Sequence, residues 1–400
     1  MFSETPIKYS KGTTRVINPS ETIAQVEDKL KIAGISRITE ITHLDRIGIP
    51  VFSAIRPLAA EGAVSIYAGK GATVNQAKAS AIMEAFERYS AEKQESDEDK
   101  LFVGTMNSLE GDVVNPISLI IPNRLQSNPI VTRLEWMEAI NMKTGDNVWV
   151  PANAEFHPYI TCSASQIFKA NTNGLASGNV LEEAILQALC EVIERDSWSI
   201  FEAFKNKVNL DLSNCDDNII IDFLTKFENA GIEISLLDLT SDVGVCTIAA
   251  VADDVKLKDP ALLTMGIGTH LNPNVAIIRA LSEVAQSRAT QIHGTREDTV
   301  RADFMRKAGY ERMKRINKHW FDDSGENRRF DELKDLSSND ISKDIETILK
   351  LLDAVGCNDA YFVDLTREEI GIPVVRVIIP GMEVYAIDSE RVGSRISKQL

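Results

Sequence analysis

The residues best suited to chemistry are carboxylates that return at helical spacing. Residues 178–198 carry Glu183, Glu191 and Glu194. At about 100° per residue, Glu194 falls roughly 20° and Glu191 roughly 80° from Glu183, so all three share one face. Leu181, Ala184, Ile185, Ala188, Leu189, Val192 and Ile193 form an apolar arc opposite them. The pattern occurs earlier as well. Gly71, Gln76, Ala77, Ala81, Glu84, Glu87 and Arg88 match Gly178, Glu183, Ala184, Ala188, Glu191, Glu194 and Arg195 at one constant offset. A weaker third copy places Ala276, Ala280, Leu281, Glu283 and Gln286 opposite Ala184, Ala188, Leu189, Glu191 and Glu194. One Glu-rich face is ordinarily a solvated surface. Three in phase are different, because clustered carboxylates repel and need a cation. Oxygen ligands without His or Cys suit Mg2+, which keeps waters and bridges to substrate phosphates. The expected site is therefore a magnesium-nucleotide cleft lined by helices.

The positioning elements can be read on either side of these motifs. Helices are predicted near 73–92, 178–198 and 275–290, and a short amphipathic one over 22–33 with a cap at Ser20 or Thr22. Residues 47–57 and 63–68 read as strands, the second ending at Gly69-Lys70-Gly71. Walker spacing is absent there, but a glycine-rich helix entry can still bind anions, so Lys70 is a candidate phosphate contact. The small residues of 171–179 would let backbone approach a ligand. A helix over 218–230 followed by strands over 232–237 and 245–252 gives an α/β layered (α+β) architecture with mixed sheets, and 372–381 reads as a buried strand. His270, after two glycines, is expected to be a structural hydrogen bonder. Residues 92–100 read as a solvated charged loop. Residues 295–345 read as a charged surface, helical over 301–315 and loop-like over 322–329.

The whole chain has 400 residues, 44% apolar and 26% charged, which is ordinary for a globular protein. A net charge of −16 disfavours nucleic acid and anionic membrane as partners. Cys162, Cys190, Cys215, Cys246 and Cys357 are odd in number and scattered, which argues against a disulfide framework or structural zinc and for a reducing cytoplasm. Cys190 lies at the edge of an apolar arc and is expected to be core filler. Neither a secretory segment nor a run of membrane-spanning length is present.

Ser80-x-x-x-Glu84-x-x-Glu87-Arg88, Glu183 with Glu191-x-x-Glu194-Arg195, and Glu283-x-x-Gln286-x-Arg288 together resemble the YcaO family, in that family's order. The resemblance implies a YcaO-like fold in which repeated acidic helices line a nucleotide cleft. An N-terminal segment, 1–60, would fold against the nucleotide and a catalytic domain would span 61–400. It further implies an ATP- and Mg2+-dependent enzyme that modifies backbone amides of a peptide or protein. Glu84, Glu87, Glu191 and Glu194 would hold metal. Arg15, Thr22, Ser80, Glu84, Asn179, Glu183, Gln286 and one of Arg195 or Arg288 would face the nucleotide or its waters. No residue is dedicated to proton transfer. Azoline-forming members commonly need an E1-like partner and often end in a proline-rich tail, which Arg395–Leu400 does not provide. Lys11-Gly12-Thr13-x-Arg15 and Leu44–Pro50 are similar to stand-alone archaeal members that thioamidate a glycine of methyl-coenzyme M reductase, using a sulfide source and in some cases a TfuA partner. The expected assembly is a homodimer. Azoline formation, another magnesium-nucleotide ligase, or an ATP-holding scaffold are the alternatives.

Overall fold

The computed structural model describes residues 2–125, 127–294, 301–322 and 324–398. Residues 295–300 of the expected charged surface, and Gln399 and Leu400 of the expected C-terminal end, lie outside the described residues.

Helix α1 (Pro19–Val26) opens the chain, capped by the side chain of Asn18 rather than by Ser20 or Thr22. Strands β1 (Arg37–Glu40), β2 (Val51–Ile55) and β3 (Ile66–Lys70) form an antiparallel sheet. The expected boundary at residue 60 falls between β2 and β3, so the chain on either side of it shares one sheet. Helix α2 (Val74–Ala91) starts at Thr73, whose side chain exchanges hydrogen bonds with Gln76 in a capping box. Then come β4 (Phe102–Gly104), β5 (Asp112–Val113), β6 (Leu134–Asn141), β7 (Asn147–Pro151), β8 (Leu175–Ser177) and helix α3 (Leu181–Phe204). Next are β9 (Val208–Asp211), α4 (Asn218–Ala230), β10 (Glu233–Asp238), β11 (Thr247–Asp253), β12 (Thr264–Thr269) and α5 (Pro273–His293). The chain closes with α6 (Arg301–Ala308), α7 (Tyr310–Ile316), α8 (Lys318–Phe321), β13 (Glu326–Arg329), α9 (Ile341–Ala354), β14 (Tyr361–Asp364), β15 (Val374–Ile378) and α10 (Ser394–Ser397).

Two larger sheets complete the mixed α/β fold. Strands run β5-β7-β6-β14-β15-β8 in one, with β4 beside β6, and β12-β11-β10-β9-β13 in the other. The apolar arc of α3 is buried with α9 and the β15 side of its sheet; Ala184, Ile185, Ala188, Leu189 and Ile193 are fully covered. Burying a side chain of Leu or Ile size is worth about 1.5–3 kcal/mol, so this arc alone anchors the helix. On the other sheet the strands alternate. Leu236, Ile248, Ala250 and Ala252 face α4 and α5, while Leu237, Ala249, Val251 and Ile267 face Phe201 and Trp320.

Each acidic helix follows a strand that lies unusually close to it. A Cβ added to Gly69 on β3 would stand 2.0 Å from the Ala81 nitrogen of α2. One on Gly268 of β12 would meet the Ala276 oxygen at 2.2 Å, and one on Gly178, just after β8, the Ala184 nitrogen at 2.4 Å. Glycine opposite alanine brings backbone against backbone. That contact fixes each helix's rotation about its axis, and with it the direction of its carboxylates.

Two charged stretches differ from expectation. Residues 92–100 are solvated only in part: Glu95, Ser96, Glu98, Asp99 and Lys100 are exposed, but Glu92 takes two bonds from Arg56 (2.9 and 3.1 Å) and Asp97 two from Arg367 (2.7 and 2.9 Å), both buried. Within 322–329, residues Glu326–Arg329 form β13, paired parallel to β9. All five cysteines are unpaired. Among the described residues no helix is long and apolar enough to cross a membrane.

Candidate nucleotide cleft

Helices α2, α3 and α5 turn matching positions into one cavity of about 640 Å3, within the range of small-molecule sites. Glu84, Glu191 and Glu283 occupy one phase of the repeat and keep nearly equal side-chain exposure, 25%, 24% and 25%. Glu87 and Glu194 lie deeper, at 13% and 5%. Their counterpart Gln286 donates to the Ala68 carbonyl of β3, a bond that a carboxylate could not make. Ser80, Gln187 and Arg279 form a third matched set, and all three line the cavity. Arg279 donates to Gln187.

The N-terminal strip closes one side of the cavity. Glu183 accepts from the Val16 backbone at 3.1 Å and from Asn179 at 2.8 Å, and pairs with Arg15 at 3.3 Å. Thr22 donates to Asn179 at 2.8 Å. Gln76, the counterpart of Glu183, donates to the Lys11 carbonyl at 2.6 Å. The matched positions therefore hold the strip from two helices, one accepting and the other donating. Arg15, Thr22, Asn179 and Glu183 line the cavity with Lys70, which is paired with Glu283. His270 is buried beside this strip. The Asn272 amide donates to its Nδ1 (2.9 Å), which leaves Nε2–H to donate to Thr14 (3.1 Å). Burial pushes its pKa down to about 3, as befits a neutral structural imidazole.

Acid and base are paired within the helices. Arg88 sits 3.6 Å from both Glu84 and Glu87; Arg195 sits 3.5 Å from Glu194 and 4.0 Å from Glu191, with its guanidinium over the Trp198 ring. Compensation is incomplete. Burial pushes Glu87 up to about 8 against the pull of Arg88, with Glu191 and Glu84 adding smaller repulsions. Burial lifts Glu194 to about 7, with Glu283 reinforcing the shift against Arg195. Glu191 is raised by burial too. Glu283 is the exception: burial would raise it, but Lys70 and Arg195 hold it below the usual carboxylate range.

Arg288 does not face the cleft. It is fully buried, with Nε 2.7 Å from Asp45 and Nη2 3.0 Å from Asp254. The reason is one residue of phase. Ser287 is the counterpart of Arg195, and Arg288 lies about 100° further round the helix, on the side that packs inward. Its own counterpart, Asp196, is buried as well, against Arg395 at 2.9 Å. Arg88, Arg279 and Glu283 line the cleft without having been assigned roles from sequence. Arg88 and Glu283 already stood in the repeat register, opposite Arg195 and Glu191; extending it to the position of Ser80 and Gln187 would have added Arg279. Cys190 is buried, and burial pushes its thiol up to about 12, as core filler.

A family profile described as YcaO cyclodehydratase, ATP- and Mg2+-binding, matches residues 68–383. A protein of Methanothermobacter thermautotrophicus is 58% identical over 388 residues, 96% of this chain and 99% of that protein. The structure of YcaO from Methanopyrus kandleri bound with AMPPCP and Mg2+ is 32% identical, with a TM-score of 0.80 over 98% of each chain. The chain belongs to the YcaO family. A protein from the region 3′ of tfuA in Rhizobium leguminosarum bv. trifolii is also similar, 31% identical over 92% of this chain and 89% of that one.

YcaO proteins bind ATP and Mg2+, and the residues of this chain fit both. The cleft offers carboxylate oxygens in excess of its own cations. It also holds two buried guanidinium nitrogens without hydrogen-bond partners, Nη1 of Arg88 and Nε of Arg279. Unpartnered buried donors suit an anion. Among the described residues no three acidic, His or Cys side chains group around a single ion. The four glutamates expected to hold metal therefore do not form a closed protein cage. An ion held by one or two of them and completed by phosphate and water has the coordination that Mg2+ prefers.

Proposed function

We propose that this YcaO chain uses ATP to exchange oxygen for sulfur in a peptide backbone amide. The carrying observation is the convergence of Glu84, Glu191 and Glu283 from three helices on one cavity that also holds the unpartnered Arg88 and Arg279 nitrogens. An amide oxygen is a poor leaving group, and phosphorylation makes it a good one. The amide oxygen attacks the γ-phosphorus, and the bond to the ADP oxygen breaks. Hydrosulfide then adds to the carbon, and the oxygen departs with phosphate, carrying the hydrosulfide proton. The products are thioamide, ADP and hydrogen phosphate. Mg2+, when bound, supplies charge neutralisation at the triphosphate. Arg88 and Arg279 orient the phosphates, Glu84, Glu191 and Glu283 fix the metal-bearing end, and the strip through Arg15 and Thr22 limits water.

Sulfur is preferred to azoline formation because Lys11–Arg15 and Leu44–Pro50 are similar to the stand-alone methanogen branch, and because one relative lies beside tfuA. On this reading the target is a glycine of methyl-coenzyme M reductase, and a sulfide source, a TfuA-type partner and a homodimer belong with it. The family description supports a second reading, cyclodehydration of Cys, Ser or Thr. Intact mass of the peptide after incubation with ATP, Mg2+ and sulfide decides. Sulfur exchange adds about 16 Da, cyclodehydration removes about 18 Da, and an unchanged mass overturns both.

A further inference from the structure

Glu84 and Arg88 also line a second cavity, of about 560 Å3. His157, Lys169, Asn171 and Thr172 face it from the long connection before β8, Val64 from the connection before β3, and Tyr67 from β3 itself. Gly62 packs on Pro158, which brings these two connections together. The volume is far beyond the roughly 30 Å3 of a water-sized nucleophile such as hydrosulfide. Phosphoryl transfer runs in line, so the acceptor must approach the γ-phosphorus opposite the departing ADP oxygen. Glu84 and Arg88 line both cavities, so a group entering the second meets a triphosphate held against these two residues in the first.

We propose that this second cavity is the channel through which an extended acceptor polypeptide delivers its reactive carbonyl past Glu84 and Arg88. The inference rests on the nucleotide reading of the first cavity. Lys169, Asn171 and Thr172 offer the donors and acceptors that a main chain without regular structure needs, and Val64 and Ile387 give it apolar lining. In the step itself a carbonyl lone pair forms the O–P bond while the bond from phosphorus to ADP breaks.

The test attaches a probe in the channel. Thr172→Cys in a Cys162→Ser background is alkylated with bromoacetyl-hexaglycine, and the Cys162→Ser protein treated alike is the control. Tethering supplies an effective concentration near millimolar, so intrinsic affinity matters little. Expected is Mg2+·AMPPCP affinity within about two-fold of the control, ADP release raised about ten-fold or more, and an ATP-dependent mass change on the tethered glycines. AMPPCP binding retained with ADP release unchanged overturns the channel alone. Affinity lowered more than about ten-fold by the tether assigns this cavity to the nucleotide and also overturns it. If the untreated protein does not bind Mg2+·AMPPCP, the nucleotide reading itself has failed, and the channel with it.

Discussion

At the scale of residues, the site depends on a few carboxylates that have distinct jobs. Glu191→Gln removes one anionic oxygen from the trio facing the cleft, and Mg2+-dependent ATP binding is expected to weaken about ten-fold or more. Titration calorimetry with and without Mg2+ measures this, and equal affinity in the variant would refute the metal assignment. Arg288→Met should behave in the opposite way. It leaves the Asp45 carboxylate without its cation and Asp254 with Arg46 alone, so unfolding free energy should drop by about 3 kcal/mol while nucleotide affinity in the folded fraction holds. Denaturant titration alongside the same calorimetry separates the two effects. Glu84, Glu87, Glu191 and Glu194 were legible in the sequence because helical phase is local. Arg288 was not, because its partners sit 243 and 34 residues away and its phase error is one position. Glu92 and Asp97 were misread as solvated for the same reason, Asp97 meeting an arginine 270 residues away.

At the scale of elements, the glycines of the strands matter as much as the acids of the helices. Gly69→Ala forces α2 away from β3, since the new carbon would stand 2.0 Å from backbone that cannot yield locally. A melting temperature lowered by several degrees together with weakened nucleotide binding is expected. Gly62→Ala, whose nearest neighbours are Pro158 carbons at 3.6 and 3.7 Å but whose φ is positive, should cost stability without touching the cleft. Thermal melts of the two variants, each with and without Mg2+·AMPPCP, test the distinction. The three acidic helices, α4 and the strands β2, β3, β10, β11 and β15 were readable from periodicity and turn residues, whereas α9 and the strands β4 to β8 were not. β13 was not, because Glu326–Arg329 is charged throughout and becomes a strand only by pairing with β9.

At the scale of the molecule, stability and ligand binding are linked through protons. Glu87 and Glu194 have pKa values raised by burial to about 8 and about 7, above those in the unfolded chain. The folded state therefore holds protons that the unfolded state has released, and stability falls as pH rises through that window. Buried Glu155, raised well above its ordinary value by burial, acts with the same sign. The buried His270, neutral when folded but half protonated at about pH 6.5 when unfolded, acts with the opposite sign there and fades as pH approaches 8. The ligand-free protein should thus melt lower at pH 8 than at pH 6.5, with a shallower slope in Glu87→Gln. Mg2+·AMPPCP, which favours the ionised acids, should stabilise more strongly at pH 8; melting temperatures that do not fall from about pH 6.5 to 8 would overturn the raised values. Arg88 and Arg195 stand directly after Glu87 and Glu194 in the chain. A nascent polypeptide thus carries its own counterions into the fold, and the emptied pocket between one turnover and the next has something to hold it open besides its cargo.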